Sequence, residues 1–413
     1  MSEGERTEIV VAGAGPVGLA AALALASNGR RVTLLGPKPA MDERRTAALM
    51  LPSLELLERL GVADALLKNA APLSTMRIID ATNRLIRSPS VTFRAAEIGE
   101  DAFGYNVPNR VLNAVLSDKV EAHPGIEWKQ VLAHSWQIGV DQVQARLVGG
   151  GTIAASICVA ADGRNSAARD AAGIGVRSRM LPQTALVCNF GHKRHHGFAS
   201  TEFHTEHGPC TQVPLPGGYR SSLVWVMEPS RAEEFATLDD IQLADKLEEQ
   251  MHSMLGRTEI EDGRALFPLS STLPKRFASG RVALVGEAAH VFPPITAQGL
   301  NLGLRDVADL ATCIGEAGDQ LGEEQLSAYA RKRLPDIFAR SGAVSLVNGS
   351  LLATNLPAQL ARSVGLTLLD RLPGLRGFFM REGMRPGSGL KTLLPQLPFG
   401  RVREKDQSAD SRS

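Results

Sequence analysis

The chain has 413 residues, 44% hydrophobic and 22% charged, the composition of an ordinary globular protein with two or three domain-sized units. Lys plus Arg number 45 against 44 Asp plus Glu, a formal net charge of +1. That balance excludes a global attraction to nucleic acid or anionic lipid, so any basic surface must be local.

The first predicted element is a buried strand, Glu8-Ile9-Val10-Val11-Ala12. Gly13-Ala14-Gly15-Pro16-Val17-Gly18 follows at once, then a helix-forming run from Leu19 to Ala26. Strand, GxGxxG and helix in that order make the fingerprint of a dinucleotide site. Gly13 permits the tight turn, Gly15 lets a pyrophosphate approach the backbone, and Gly18 lets the helix pack on the sheet. The free N–H groups and positive dipole end of the helix then face the phosphates. Arg31-Val32-Thr33-Leu34-Leu35 returns as a second strand. Its end should carry an acid for the adenosine ribose and carries Gly36 instead, with Asp42 and Glu43 as uncertain substitutes further on. Such a bond contributes about 1.5–3 kcal/mol, so Gly36→Glu is expected to tighten dinucleotide binding if the geometry permits.

In mid-chain, Gly149-Gly150-Gly151 reads as a hairpin turn between two strand-like runs, not as a second dinucleotide site. The apolar strand Ile157 to Ala161 runs into Asp162-Gly163-Arg164-Asn165-Ser166 and Arg169; a plain turn and helix cap is an equal reading of that segment alone. Short β-prone runs follow at Thr184–Phe190, Ser200–His204, Cys210–Leu215 and Ser221–Met227, the pattern of an antiparallel sheet. Phe203 and Trp225 are candidate pocket aromatics, with core packing at least as good a reading. His192, His195 and His196 sit with Lys193 and Arg194 in what reads as a solvated basic loop; even with His204 and His207 they match no zinc spacing, so no metal is expected.

A further buried strand, Arg281 to Val285, leads into Gly286-Glu287-Ala288-Ala289-His290, then Pro293-Pro294, then Ala297-Gln298-Gly299-Leu300-Asn301 and on to Asp306. A Gly-acid pair, a proline-rich loop and a glycine at a helix start suit a polyhydroxyl or anionic ligand. From about Ala358, leucines alternate with Arg362, Arg371, Arg376, Arg381 and Arg385, and Phe378-Phe379-Met380 adds an apolar tip. That section reads either as a packed helical hairpin or as a basic amphipathic surface for a membrane. Residues 403–413 are polar and expected to be disordered. Cys158, Cys188, Cys210 and Cys313 show no CxxC spacing and are expected as buried free thiols. With no signal-like start and no long apolar run, the sequence reads as a soluble cytoplasmic protein, peripheral at most to the inner face of a membrane.

Together the segments Gly13 to Gly18, Asp162-Gly163, and Gly286-Glu287 with Gly299-Leu300-Asn301 resemble the aromatic-ring flavoprotein monooxygenases, the group that includes 4-hydroxybenzoate hydroxylase. The likeness covers roughly residues 5 to 385. Arg45-Thr46-Ala47-Ala48-Leu49, Ser53 to Val62 and Gly104 to Leu112 make it most similar to the ubiquinone-biosynthesis hydroxylases. The resemblance implies an α/β FAD-binding domain of Rossmann type in three pieces, 1–71, 104–180 and 270–345. An inserted antiparallel substrate domain would take 72–103 and 181–269, and a C-terminal helical section 346–402. It implies that Gly13, Gly15, Pro16, Val17, Gly18 and Gly36 line the FAD site, with Arg45 and Arg110 on phosphate or ribityl groups. Asp162 and Gly163 would stand by the pyrophosphate, Glu287 at the ribityl hydroxyls, and Pro294, Gln298, Gly299, Leu300 and Asn301 at the flavin ring, Pro294 also flanking the substrate. Glu287 stands where Asp is usual and Thr296 where glycine is common, so those two positions, with Gly36, are expected to weaken FAD retention.

The implied reaction is hydroxylation of a phenolic ring through a flavin C4a-hydroperoxide, with molecular oxygen and with NADH or NADPH as a transient reductant. The substrate would be a polyprenyl phenol on the way to ubiquinone. The alternatives are a soluble hydroxylase of small aromatic compounds, and a non-catalytic, FAD-poor subunit of a biosynthetic complex. A flavin halogenase is disfavoured because no Gly-Trp-x-Trp-x-Ile-Pro run occurs.

Overall fold

In the computed structural model, which describes residues 5–40, 43–82, 88–261, 263–293, 298–316, 318, 321–352, 367 and 371–384, the run Ile9 to Ala12 lies inside a parallel sheet. Ile9, Val10 and Val11 in strand β1 (Glu5–Ala12) are wholly buried, because a parallel strand covered on both faces needs a continuous apolar run. The chain continues through α1 (Pro16–Ser27), β2 (Val32–Leu35), β3 (Thr46–Met50), α2 (Leu51–Arg59), α3 (Ala63–Leu67), β4 (Ala71–Pro72), β5 (Thr75–Asp80) and β6 (Val91–Arg94). Next come β7 (Gly104–Pro108), α4 (Asn109–Glu121), β8 (Ile126–Lys129), β9 (Ala133–Ile138), β10 (Val143–Leu147), β11 (Thr152–Ala160) and α5 (Ala167–Ala171). The inserted part holds β12 (Val176–His192), β13 (Ala199–His204), β14 (Pro209–Pro214), β15 (Arg220–Met227), α6 (Pro229–Thr237), α7 (Asp240–Gln250), β16 (Thr258–Ile260) and β17 (Ala265–Pro274). Then β18 (Ala278–Ser279), β19 (Val282–Leu284), α8 (Gln298–Gly315) and α9 (Glu323–Leu352) return to the first unit, and a further helix spans Pro373–Met384.

The first sheet runs β18-β19-β11-β1-β2-β8, with β19, β11, β1, β2 and β8 mutually parallel. Helix α1 is apolar all round and buried from Gly18 to Ala26, as a helix must be when it lies between a sheet and other helices. The Gly149–Gly151 turn joins β10 to β11 as an antiparallel hairpin, as expected. This is the Rossmann-type α/β arrangement that the sequence indicates.

The second sheet runs β16-β12-β15-β14-β13-β5-β6, with β17 also on β12. Its pairs are antiparallel except β13 with β5, which run parallel because β5 enters from the chain far upstream. The sheet's one face packs on α6 and α7 through Leu186, Phe203, Leu223, Trp225, Phe235 and Leu247. A small third sheet, β3-β7-β4, joins the units.

Several expectations change here. Phe203 and Trp225 are 1% and 3% exposed and belong to the core under α6 and α7, with Trp225 edge-on to Phe235 at 5.1 Å; neither lines a pocket. The histidine segment is only partly a solvated loop. Lys193, Arg194 and His195 are exposed, but His192 and His196 are buried, His192 hydrogen-bonding the Arg194 carbonyl and Ser221 Oγ. Burial lowers both imidazoles from their ordinary range. No group of His, Cys, Asp or Glu among the described residues could hold a metal. All four cysteines are free, three of them buried and Cys313 only partly so. Among the described residues no helix is long and apolar enough to cross a membrane. Most of the section from Ala358 lies outside the described residues, as do Asp42, Pro294, Thr296 and residues 403–413. In the helix Pro373–Met384, Met380 is buried beside Ala95 and Phe103, while Phe379 stays half exposed.

Candidate functional site: a dinucleotide cradle at the sheet's carboxyl edge

Strand pairing brings the sequence motifs together. Ala12 lies opposite Ala160 and Leu35, and Ala160 opposite Leu284, so β1, β2, β11 and β19 end side by side. The four loops that leave them start at Gly13, Gly36, Ala161 and Val285. In an open α/β sheet that edge is where ligands bind. The ladder continues one step into the loops, with Gly13 N–H donating to Leu35 O at 2.7 Å and Ala161 N–H to Ala12 O at 2.7 Å.

The glycines of the fingerprint have distinct geometric duties. Gly13 has φ +100° and presses on the Ala161 carbonyl, where a Cβ would come within 2.3 Å. At Gly18 a Cβ would lie 1.8 Å from the Gly13 carbonyl oxygen, so helix and turn touch there. A Cβ at Gly15 would meet nothing within 4 Å. Gly15 caps α1 without any side-chain bond, and Pro16 follows at the first turn. Those N–H groups therefore point into open space, which suits a pyrophosphate. Val17 packs against Gly286 and Gly303, a contact that draws α8 onto α1.

Gly36 corrects the expectation of a gain on acid replacement. Its φ is +139°, and a Cβ would fall 2.9 Å from Ala14 N, the backbone of the fingerprint itself. Its carbonyl accepts from Trp128 Nε1 at 2.9 Å and its N–H donates to Lys129 O at 3.1 Å. Gly36→Glu is therefore expected to strain the turn by about 1–3 kcal/mol, lowering the melting temperature without tightening FAD. A variant that melts like the wild type and holds FAD more firmly in a fluorescence titration would overturn this.

Around the cradle, charged groups are paired with each other. Asp162 Oδ2 accepts from Ala168 N at 3.2 Å, while its Oδ1 is buried with no partner. Glu287 is bridged by Arg164 through Nε at 3.0 Å and Nη2 at 3.3 Å, with both side chains about half exposed. An exposed pair of this kind contributes little, about 0–1 kcal/mol, so Glu287 can exchange Arg164 for ligand hydroxyls. Arg45 holds Glu43 through Nε at 2.8 Å and a second nitrogen, and its guanidinium lies over the Phe267 ring. The Arg45 contact lowers the Glu43 carboxyl, and Glu43 raises Arg45. Glu43 is thus committed to Arg45. Arg110 is exposed at the start of α4; Asn109 N–H donates to Arg45 O at 2.9 Å, so the two arginines share one rim.

Gly299 is exposed and open, and Leu300 packs partly into the core. The Asn301 side chain is engaged structurally: Oδ1 accepts from Met50 N at 2.9 Å and Ser53 Oγ at 2.7 Å, and Nδ2 donates to Ala48 O at 2.7 Å. With its side chain so engaged, Asn301 would meet a ligand through its backbone, where the first-turn N–H groups of α8 have no partner within the helix.

Arg169 and Asp306, both within the motif segments, support the site from behind, together with Arg333 from outside them. Arg169 is 5% exposed, and its Nη1 donates to Arg164 O at 3.0 Å and Ala288 O at 3.1 Å, stapling two site loops together. Asp306 is fully buried; its Oδ2 accepts from Gly286 N at 2.9 Å and His290 Nε2 at 2.7 Å, and its Oδ1 from Arg333 Nε at 2.7 Å. Arg333 also reaches Asp309 and Asp336 at 3.1 and 2.8 Å. Burial alone would lower the Arg333 guanidinium, but Asp306, Tyr329, Asp336 and Asp309 hold it well above the ordinary value. The signal in the sequence was the pairing of Asp306 with Asp309 and of Arg333 with Asp336, each one helical turn apart.

The residues fit a dinucleotide: an uncapped helix start, open space at Gly15, and an orphan carboxylate oxygen on Asp162 converge on one edge. Residues 6–339 match the family described as FAD binding domain. The chain is 31% identical over 409 residues to a ubiquinone hydroxylase, UbiL, of Rhodospirillum rubrum, covering 95% of this chain and 91% of the relative. It is 30% identical over 402 residues to the 3-demethoxyubiquinol 3-hydroxylase of Escherichia coli, covering 93% and 99%. Among solved structures, the p-nitrophenol 4-monooxygenase PnpA of Pseudomonas putida DLL-E4 superimposes with a TM-score of 0.74 at 19% identity, over 92% of this chain and 97% of that one.

Proposed function

Because this chain belongs to the FAD binding domain family and is an FAD-dependent monooxygenase, we propose that it hydroxylates a phenolic ring, that of a ubiquinone precursor. The observation that carries the reading is the convergence of the GxGxxG, Asp-Gly and Gly-Glu loops on adjacent strand ends, in a chain matched nearly end to end by ubiquinone hydroxylases. Gly13 to Gly18 hold the pyrophosphate, with Asp162 beside it and Arg45 and Arg110 on the rim. Glu287 takes the ribityl hydroxyls, and the backbone from Gln298 to Asn301 meets the flavin ring. Bound FAD, reduced by NADH or NADPH, supplies the electrons that activate molecular oxygen for transfer to an electron-rich ring. The second sheet supplies the wall against which that ring is held, and the packed units keep water from the reacting atoms.

The test starts from purified protein mixed with excess FAD and desalted. A retained flavin band, reductant consumption that depends on 2-prenylphenol, and a product heavier by one oxygen atom are the expected results. Retained flavin with hydroxylation only of small soluble phenols would favour the catabolic alternative, and no retained flavin would favour the non-catalytic subunit.

A polyprenyl substrate resides in a bilayer, and the carboxyl-terminal section is the part suited to reach it. Arg371 is exposed, and Leu372 and Phe379 are 47% and 52% exposed. Each interfacial basic residue contributes about 1 kcal/mol near an anionic leaflet. Flotation with anionic liposomes at low salt is expected, and it should weaken at high salt or on Arg371→Ser with Phe379→Ser. No flotation at low salt would remove this role.

A further inference from the structure

Alternation along the strands of the second sheet gives it a second face, opposite the one packed on α6 and α7. Glu202 and His204 on β13 point to it, with Ile78 on β5 and Thr211, Val213 and Val224 across the neighbouring strands. The first unit reaches this sheet at several places: Met50 and Met76 pack on the same cluster of Ala95, Phe103 and Met380, Asn106 Nδ2 donates to Pro214 O at 2.8 Å, and Val291 bridges to Thr272. Ile78 and Val213 are half-buried and belong to no buried apolar cluster among the described residues, whereas Val224 packs with Val187 and Phe267 against Ala185, Val226 and Leu269.

On that mostly apolar wall stands one acid–imidazole pair. His204 Nε2 lies 2.7 Å from Glu202 Oε1, and Thr211 Oγ1 donates to Glu202 Oε2 at 3.5 Å. The two side chains are 10% and 19% exposed. A carboxylate bonded to one imidazole nitrogen fixes the ring and its tautomer, leaving the other nitrogen as a proton acceptor. That other nitrogen, Nδ1, makes no hydrogen bond with a described residue, yet it is not sealed from solvent, unlike Nδ1 of His290. Among the described residues, Asp80 on β5 lies in register with His204, and its carboxylate accepts from Thr82 N, Thr82 Oγ1 and Ser88 N.

We infer that His204, oriented by Glu202, is the base that accepts the hydroxyl proton of the phenolic substrate. The inference rests on the phenol-hydroxylase reading. The phenol O–H bond breaks, its proton passes to His204 Nδ1, and the electron pair stays on the phenolate oxygen. Glu202 remains ionised and stabilises the imidazolium. The phenolate ring is the more electron-rich and so the better acceptor of an electrophilic oxygen. The proton returns when the product leaves.

Holoprotein titrated with 4-nitrophenol, buffered below the pKa of that phenol, gives the direct reading. The expected result is a phenolate band that appears on binding to the wild type and is missing in His204→Gln, with the flavin spectrum the same in both. With 2-prenylphenol, His204→Gln should hydroxylate on the order of a hundredfold more slowly. Its rate should climb with pH toward the phenol's own pKa of about 10, where the wild-type rate is already level. Glu202→Gln, which keeps the imidazole, should show a smaller loss in the same direction. A wild type that yields no phenolate band, or a His204→Gln that retains both band and pH profile, overturns the inference and leaves FAD-dependent hydroxylation standing. A phenolate band that depends on His204, in a protein that hydroxylates no phenol, supports the base and sinks the functional reading instead.

Discussion

Asp306→Ala is expected to destabilise the protein by about 3–5 kcal/mol, because it leaves a buried cation without its nearest anion. Arg333 is 1% exposed and His290 also 1%, so neither can turn to water for a replacement partner. The Gly286 N–H loses its acceptor as well, in a turn whose φ of +61° only glycine adopts readily. Since a domain is stable by only about 5–15 kcal/mol, the variant should unfold at much lower urea. FAD should also bind more weakly, because Glu287 follows directly on the released turn. Asp306→Asn keeps the shape and one acceptor, so it should lie between wild type and alanine. Urea unfolding with a parallel FAD titration decides the matter. An alanine variant within about 1 kcal/mol of the wild type would show that Asp309 and Asp336 already suffice for Arg333.

Gly18→Ala and Gly15→Ala should separate folding from ligand binding within one motif. The Gly18 methyl would stand 1.8 Å from the Gly13 carbonyl oxygen and 3.3 Å from Ala161 Cβ, and neither is the end of a flexible side chain. Helix α1 would have to move off the sheet, at a cost of about 1–3 kcal/mol or more, and the protein should lose both thermal stability and FAD. Gly15 has an ordinary φ of −71° and open space where a methyl would go, so Gly15→Ala should melt as the wild-type apoprotein does. Its methyl would nevertheless fill the approach of the pyrophosphate, and FAD affinity should fall tenfold or more, about 1.4 kcal/mol. Wild-type FAD affinity in Gly15→Ala would place the phosphates elsewhere.

The sequence by itself determined the elements whose local pattern is strong. The run Ile9 to Ala12, the glycines at 13, 15 and 18, and the short β-prone runs from Thr184 to Met227 all signal through neighbours a few residues apart, so the Rossmann-type unit and the inserted sheet were legible. Only the tertiary structure decided matters that depend on distant partners. Gly36 reads as a missing acid, but its φ and its approach to Ala14 come from the packing of β1 against β2. Phe203 and Trp225 alternate as a pocket wall would, and the side of the sheet that α6 and α7 cover makes them core. Alternation along the run Ser200–His204 already puts His204 on one face with Glu202, but that this face is the one turned away from α6 and α7 is decided by the packing of the sheet. Asp306, His290 and Arg333 are spread over more than forty residues, and burial brings their charges within hydrogen-bonding distance. Periodicity records which way a side chain points from its own backbone; what it then meets is fixed by long-range packing, and no local pattern contains it.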